Sequence, residues 1–167
     1  FLLSVFKEYL KYNNDAHLTF IGGDIEGSQA EKEIKRVAKT LNVINKVTFT
    51  GIVENSKYYL DENDIYIHPS LREGMPRAVL EAMSMKKIVI ASNIRGCKEI
   101  INNNKNGFLF KTNDKKDLIN IMLKVSKMKI EDIEKIRDNA RLEIEINYKE
   151  SLYLDRQLEN IHKMLKK

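Results

Sequence analysis

A chain of 167 residues has room for one ordinary domain with a sizeable hydrophobic interior, and 43% hydrophobic and 32% charged residues with seven Gly and two Pro exclude a disordered, collagen-like or low-complexity chain. The 29 Lys and Arg exceed the 24 Asp and Glu by five, an excess that the solvated faces of Lys-rich helices accommodate without an anionic partner. A single cysteine, Cys97, excludes an intrachain disulfide framework. With no run of about 18 apolar residues and no cleavable leader, the chain is expected in the cytoplasm.

In chain order, Leu2, Leu3, Phe6, Tyr9 and Leu10 recur at helical spacing with Lys7, Glu8 and Lys11 opposite them, which predicts an amphipathic opening helix. No strand precedes it, so the sequence reads as a fragment that begins inside a domain. Residues 17–22 predict a buried strand, and residues 29–41 a helix with Ile34, Val37, Ala38 and Leu41 inward. Residues 46–50 give the next short strand, stopped by Gly51. A short helix over 55–62, a strand over 64–68 closed by Pro69, a helix over 76–85 and strands over 87–91 and 107–110 follow. The remainder lacks Gly and Pro: Leu118, Ile121, Met122 and Val125 mark one helix, Ile130, Ile133, Ile136 and Ala140 a second, and Leu154, Leu158, Ile161 and Leu165 a third.

Short apolar strands alternating with helices need crossover connections, and therefore parallel pairing with helices over both faces. The expected class is α/β, a doubly wound, Rossmann-like parallel sheet with a helical C-terminal flank. Ligands of such sheets bind beyond the carboxyl ends of the strands. That rule selects four loops: Gly22-Gly23-Asp24, Gly51-Ile52-Val53-Glu54, residues 70–75 and residues 92–96.

The third loop carries most of the chemistry, in the run Pro69-Ser70-Leu71-Arg72-Glu73-Gly74-Met75-Pro76-Arg77-Ala78-Val79-Leu80-Glu81-Ala82-Met83. Pro76 suits the first position of a helix, which leaves the Gly74 and Met75 amides at that helix's positive end, and Gly74 lets a ligand approach the backbone. Such an end is a ready anion site. Glu73 and Glu81 would repel a phosphate on contact, so they point at something neutral; sugar hydroxyls, which donate well to carboxylates, fit. A diphosphate flanked by two hydroxylated rings satisfies the whole loop, and a nucleotide sugar is such a ligand. A Glu in the first turns of a helix also favours the macrodipole without any further role.

These residues resemble the C-terminal, nucleotide-sugar-binding domain of retaining GT-B glycosyltransferases, glycosyltransferase family 4 (group 1). Glu73-Gly74-Met75-Pro76 through Glu81-Ala82-Met83 matches that family's Glu-x7-Glu signature with its upstream Pro-Ser. Lys87-Ile88-Val89-Ile90-Ala91-Ser92-Asn93, then Arg95-Gly96-Cys97, Glu99-Ile100-Ile101 and Asn106-Gly107-Phe108-Leu109, are similar to the segments that follow it. Phe20-Ile21-Gly22-Gly23-Asp24 and Phe49-Thr50-Gly51 correspond to earlier family loops, so the resemblance runs in order over nearly the whole chain.

The resemblance implies that Glu81 binds the ribose hydroxyls of the donor nucleotide and that Glu73 faces the donor sugar at the reaction centre. It implies a cradle for sugar and phosphates made by backbone amides from Gly74, Met75 and onward to Val79 and Leu80, behind Pro76. The base would lie near Gly51, Ile52 and Val53. Arg77 either contacts phosphate or is an exposed helix charge. The stretch around Arg95 resembles the form found in capsule, O-antigen and related surface-polysaccharide transferases. UDP is the expected nucleotide, the acceptor a glycan or lipid-linked sugar reached through an N-terminal domain that these residues do not contain, and the setting the cytoplasm or the inner face of the cell membrane, with peripheral association of the full-length protein. The family's diphosphate-binding Arg and Lys lie at and just after a strand upstream of the first helix, and Lys7 and Lys11 do not match them. The isolated chain is therefore expected to be inactive.

No cofactor beyond the donor and no metal site is expected: there is no Asp-x-Asp, and Asp61-Glu62-Asn63-Asp64 reads as a polar turn. Cys97 reads as a small buried thiol and His68 as a structural or partly exposed imidazole. The alternatives are a non-catalytic nucleotide-binding module and another GT-B enzyme such as a nucleotide-sugar epimerase. An oxidoreductase fold is disfavoured because Gly22-Gly23-Asp24 lacks the spaced third Gly, and no aromatic-basic stripe supports nucleic-acid binding.

Overall fold

The structure, a computed structural model, describes residues 1–23 and 28–148. Asp24 and the predicted third tail helix, with Leu154, Leu158, Ile161 and Leu165, lie outside the described residues. The elements alternate as α1 (Leu2–Tyr9), β1 (Leu18–Phe20), α2 (Gln29–Thr40), β2 (Val47–Phe49), α3 (Lys57–Asp61), β3 (Ile65–His68), α4 (Arg77–Ser84), β4 (Ile88–Ser92), α5 (Arg95–Ile100), β5 (Phe108–Phe110), α6 (Lys115–Ser126) and α7 (Ile130–Asn147). Two helix starts are capped by side-chain oxygens: Ser28 Oγ accepts from the Glu31 amide at 3.1 Å and Asp114 Oδ1 from the Asp117 amide at 3.0 Å. Among the described α-helices and strands, α5 alone has no counterpart in the elements read from the sequence.

Among the described residues the five strands pair in parallel, with helices over both faces, as the alternation requires. The strands are divided between two sheets, β1-β2 and β3-β4-β5. In the larger sheet β4 is central and buried along its whole length. Its side chains alternate: Ile88 and Ile90 join Val5, Phe108, Phe110 and Leu118 on one face, and Val89 and Ala91 join Val79, Ala82, Met83 and Cys97 under α4 and α5 on the other. Each fully buried large side chain contributes about 1.5–3 kcal/mol, which makes this sandwich the main source of stability.

Leu3, Phe6, Ala38, Val43 and Val47 form a third cluster around the smaller sheet. Helix α1 spans both halves, with Val5 and Tyr9 in the first cluster and Leu3 and Phe6 in the third. Between the sheets lies a cavity of about 750 Å³, walled by β1 and by Ile65, Tyr66 and Ile67 of β3, with Phe6 and Tyr9 also lining it. Among the described residues β1 pairs only with β2, and β3 only with β4, so both strands present an unpaired edge to this gap.

Candidate functional site

The parallel sheet carries its loops out at the carboxyl edge, and β3 delivers the chain there. Ile65 and Ile67 pack on one layer while Tyr66 lies on the α4 side; alternation puts His68 on the same side. The loop beyond Pro69 then turns back into α4. Glu73 Oε1 accepts a hydrogen bond from Ser70 Oγ at 3.0 Å and lies 3.7 Å from His68 Nε2. Beneath the turn sits Gly96 of α5: a Cβ there would come within 2.5 Å of the Gly74 carbonyl oxygen and 2.7 Å of that of Glu73. The backbone of the Glu73 turn therefore rests on a position that only glycine fits.

Pro76 is buried and immediately precedes α4, one residue outside the helix that the sequence was expected to start with it. Its carbonyl accepts the Val79 amide at 3.0 Å and the Leu80 amide at 3.2 Å. Those two amides thus close the first turn of the helix, and the Val79 side chain is fully buried. Of the expected cradle, Gly74, Met75 and Arg77 are exposed, while the Val79 and Leu80 amides take part in the first turn of the helix.

Glu81 lies just over one turn into α4, and its Oε2 accepts from Ser56 Oγ at 3.1 Å, tying α4 to the loop after β2. The glycine loops meet close by. Gly22 and Gly51 form an isolated antiparallel bridge, with φ of +86° and +66°, and Gly22 N–H donates to Thr50 Oγ1 at 3.1 Å. Gly22, Val53, Ser56, Pro69, Ala78 and Glu81 together line the carboxyl end of the cavity. The structure thus brings Gly22, Gly23, Gly51, Val53 and Glu81 to one place, with Ile52 exposed beside them. Glu73, Gly74 and Met75 stand across the start of α4.

Tyr66 links the two glutamates. Burial first, then the charges of Glu81, Cys97 and Glu73, push its phenol up to about 12, so it keeps its proton at neutral pH. Its hydroxyl lies 3.3 Å from His68 Nδ1. Burial lowers the His68 pKa, against the opposing charge of Glu73. Cys97 is the buried thiol expected, pushed up to about 11 by burial and by Glu73.

Ser56 and Tyr66 complete the site, and sequence spacing did not select them for it; Thr50 and Gly96 belong to loops that the sequence did mark. Asp61 to Asp64 is the polar turn expected, between α3 and β3. Among the described residues no three His, Cys, Asp or Glu side chains are grouped as metal ligands would be, and no helix is long and apolar enough to cross a membrane.

A parallel α/β domain with this site at its carboxyl edge has clear counterparts among known proteins, and they are glycosyltransferases. The chain belongs to the family described as glycosyl transferases group 1, which it matches over residues 1–143. It is 31% identical over 123 residues to the N,N'-diacetylbacillosaminyl-diphospho-undecaprenol alpha-1,3-N-acetylgalactosaminyltransferase of Campylobacter jejuni, covering 72% of this chain and 31% of that one. It is 34% identical over 90 residues to the UDP-Gal:alpha-D-GlcNAc-diphosphoundecaprenol alpha-1,3-galactosyltransferase of Escherichia coli, covering 54% of this chain and 23% of that one. A crystal structure of a glycosyltransferase from Rickettsia africae superimposes with a TM-score of 0.87 at 30% identity, covering 98% of this chain and 44% of that one. The chain thus spans about a third or less of the length of these sequence relatives.

Proposed function

We propose that this chain is the donor-binding domain of a retaining glycosyltransferase that moves a sugar from a nucleoside diphosphate, UDP by preference, to a lipid-linked or glycan acceptor in surface-polysaccharide biosynthesis. The observation that carries the reading is the division of labour around the start of α4. Glu81 sits with Ser56 and the glycine loops at the cavity mouth, which supports a ribose-binding role. Glu73 stands apart with Ser70 and His68, which supports a separate, sugar-facing role. Between them the exposed Gly74, Met75 and Arg77 border the helix's positive end, where a diphosphate belongs. The relatives' names support the donor and the acceptor: one takes UDP-Gal, and both act on diphospho-undecaprenol sugars.

The unpaired edges of β1 and β3 support the reading that one further strand of this domain lies outside the 167 residues. A parallel strand in the gap would join the two sheets in the order β2-β1-new-β3-β4-β5, and its loop would bring the diphosphate cations the family uses. Phe1 stacks on Phe110 at the carboxyl edge, so a strand joined ahead of α1 runs the right way for a β-α-β crossover. Fusing a six-residue Val/Thr/Ile strand and a short loop to Phe1 raises the melting temperature by several degrees on this reading, whereas a Gly/Ser extension of equal length does not. Equal melting temperatures for the two extensions count against the missing strand.

Calorimetric titration tests the donor reading. The chain binds UDP with an affinity that EDTA leaves unchanged, because protein dipoles and cations, not a metal, meet the diphosphate. With UDP-sugars and lipid-linked acceptors it turns over far below about 1 per second. Absence of UDP binding at millimolar concentration overturns the assignment, and loss of binding in EDTA overturns its metal-free form.

A further inference from the structure

We propose that His68 is a positioning residue for Glu73: a neutral imidazole, with its proton on Nε2 and the Tyr66 hydroxyl at Nδ1, that steers the Glu73 carboxylate toward the donor sugar. The inference rests on the reading that Glu73 faces that sugar, and it adds a residue and a mechanism to it.

Three contacts carry the proposal. Nδ1 of His68 lies 3.3 Å from the Tyr66 hydroxyl, Nε2 lies 3.7 Å from Glu73 Oε1, and that same oxygen accepts from Ser70 Oγ at 3.0 Å. The Nε2 atom is buried and makes no hydrogen bond in the structure. A neutral imidazole has one donor and one acceptor nitrogen. The partly buried Tyr66 hydroxyl can donate to Nδ1 or accept from it; the Glu73 carboxylate opposite Nε2 favours the imidazole proton there, which leaves Nδ1 to accept from Tyr66. The opposite tautomer would set the Nε2 lone pair against an anionic oxygen.

At 3.7 Å the N–H and the carboxylate are just outside hydrogen-bond range. An orphaned buried donor and a nearby anionic acceptor define a contact ready to close, and catalytic hydrogen bonds commonly tighten only when substrate arrives. Closing it gives Oε1 two donors, Ser70 and His68, and fixes which oxygen is left for a sugar hydroxyl. Glu73 comes from the loop after β3, Tyr66 from β3 itself, Cys97 from α5 and Glu81 from α4. Of these Glu73 is the one that faces His68, and its carboxylate favours the imidazolium; burial works against it and is the larger effect, so the His68 pKa falls below its ordinary value and the imidazole acts through its N–H.

Nitrogen-15 NMR of the unliganded chain decides the tautomer, with only three histidines to assign. Wild type should show His68 as the Nε2–H form. Tyr66→Phe should shift it toward a mixture, and Glu73→Gln should lower the His68 titration midpoint by removing the facing charge. An Nδ1–H form in wild type, or a midpoint indifferent to Glu73→Gln, overturns the proposal. Binding of UDP-glucose and UDP-galactose gives the functional arm. His68→Phe should weaken the sugar nucleotides by about tenfold relative to UDP, the size of one hydrogen bond to a charged group, and His68→Gln, which restores an N–H at the Nε2 position, should recover most of it. If Glu73→Ala weakens the sugar nucleotides while His68→Phe does not, the positioning role fails. If neither substitution matters, the sugar-facing role of Glu73 fails first.

Discussion

β4 and β1 are the same kind of strand, short, apolar and parallel, yet every residue of β4 is buried and every residue of β1 only half-buried. The difference is in the neighbours. β4 has a partner on each side and helices on both faces, whereas β1 has one partner and a cavity. In a parallel sheet, burial comes from occupied edges as much as from apolar side chains. The site is divided the same way: Glu73, Glu81, His68, Tyr66 and Gly96 hang on the packed half, and the Gly22 and Gly51 loops on the open one. Helix α1 and the Glu81–Ser56 hydrogen bond join the two.

The sharpest break in that comparison is a cavity cut into each half. Phe108 is 1% exposed at the centre of the larger core, so Phe108→Ala should cost about 3–5 kcal/mol. Phe20, half-buried and stacked on Phe49 at 5.3 Å, should cost about 1–2 kcal/mol when cut to Ala. Urea denaturation of both variants measures the gap. Equal losses would mean the two halves are packed alike.

Glycines sharpen it next. Gly96→Ala drives a Cβ into two backbone oxygens at 2.5 and 2.7 Å, neither of which can move without moving the Glu73 turn. A loss of about 3 kcal/mol, at the upper end for overpacking, is expected, with displaced Glu73 and Gly74 amide resonances. Gly22→Ala meets open space, but at φ +86° it should cost only the left-handed penalty of about 1–2 kcal/mol. A Gly96→Ala variant with native stability and unmoved resonances would show that the turn does not rest on α5.

The glutamates differ in which ligand they report. Glu81→Ala should weaken UDP by about 10- to 150-fold, the value of a lost hydrogen bond to a charged group at about 1.5–3 kcal/mol. Glu73→Ala should leave UDP nearly unchanged and weaken only the UDP-sugar. Calorimetry on both variants, after circular dichroism has shown them folded, checks the assignment. The reverse pattern would exchange the two roles.

What the sequence disclosed follows from range. Ile88 to Ala91 declares a strand because both its faces are buried, and Glu73 and Glu81 declare a site because their spacing is local. Helix α5 escaped notice: it has six residues, a glycine at its second position and Ile94 as an N-cap that makes no side-chain hydrogen bond. The split into two sheets was equally silent, since an apolar strand does not announce which of its edges is paired. Within the site, Glu81 meets Ser56 across 25 residues and Gly96 meets Gly74 across two elements, contacts that no periodicity encodes. Counting amides along a helix start says how many point forward, but only the first turn's own hydrogen bonds to Pro76 decide which remain available.

The smallest expected effect is the pH dependence that His68 confers on the packed half. Burial lowers its pKa in the folded chain below the ordinary value of 6.5, with the facing Glu73 charge opposing the shift. In the interval between the folded value and 6.5 the unfolded chain therefore binds more protons than the folded one, and stability rises with pH there. The contribution is fully present above about pH 6.5 and is lost as pH falls through the folded value. Urea midpoints taken at half-unit steps from pH 7.5 down to the upper edge of the carboxylate range should fall in wild type. His68→Gln, which cannot titrate, should flatten that slope while keeping the N–H toward Glu73. A slope that survives His68→Gln would place the titrating group elsewhere and remove the partly buried, neutral imidazole on which the positioning of Glu73 depends.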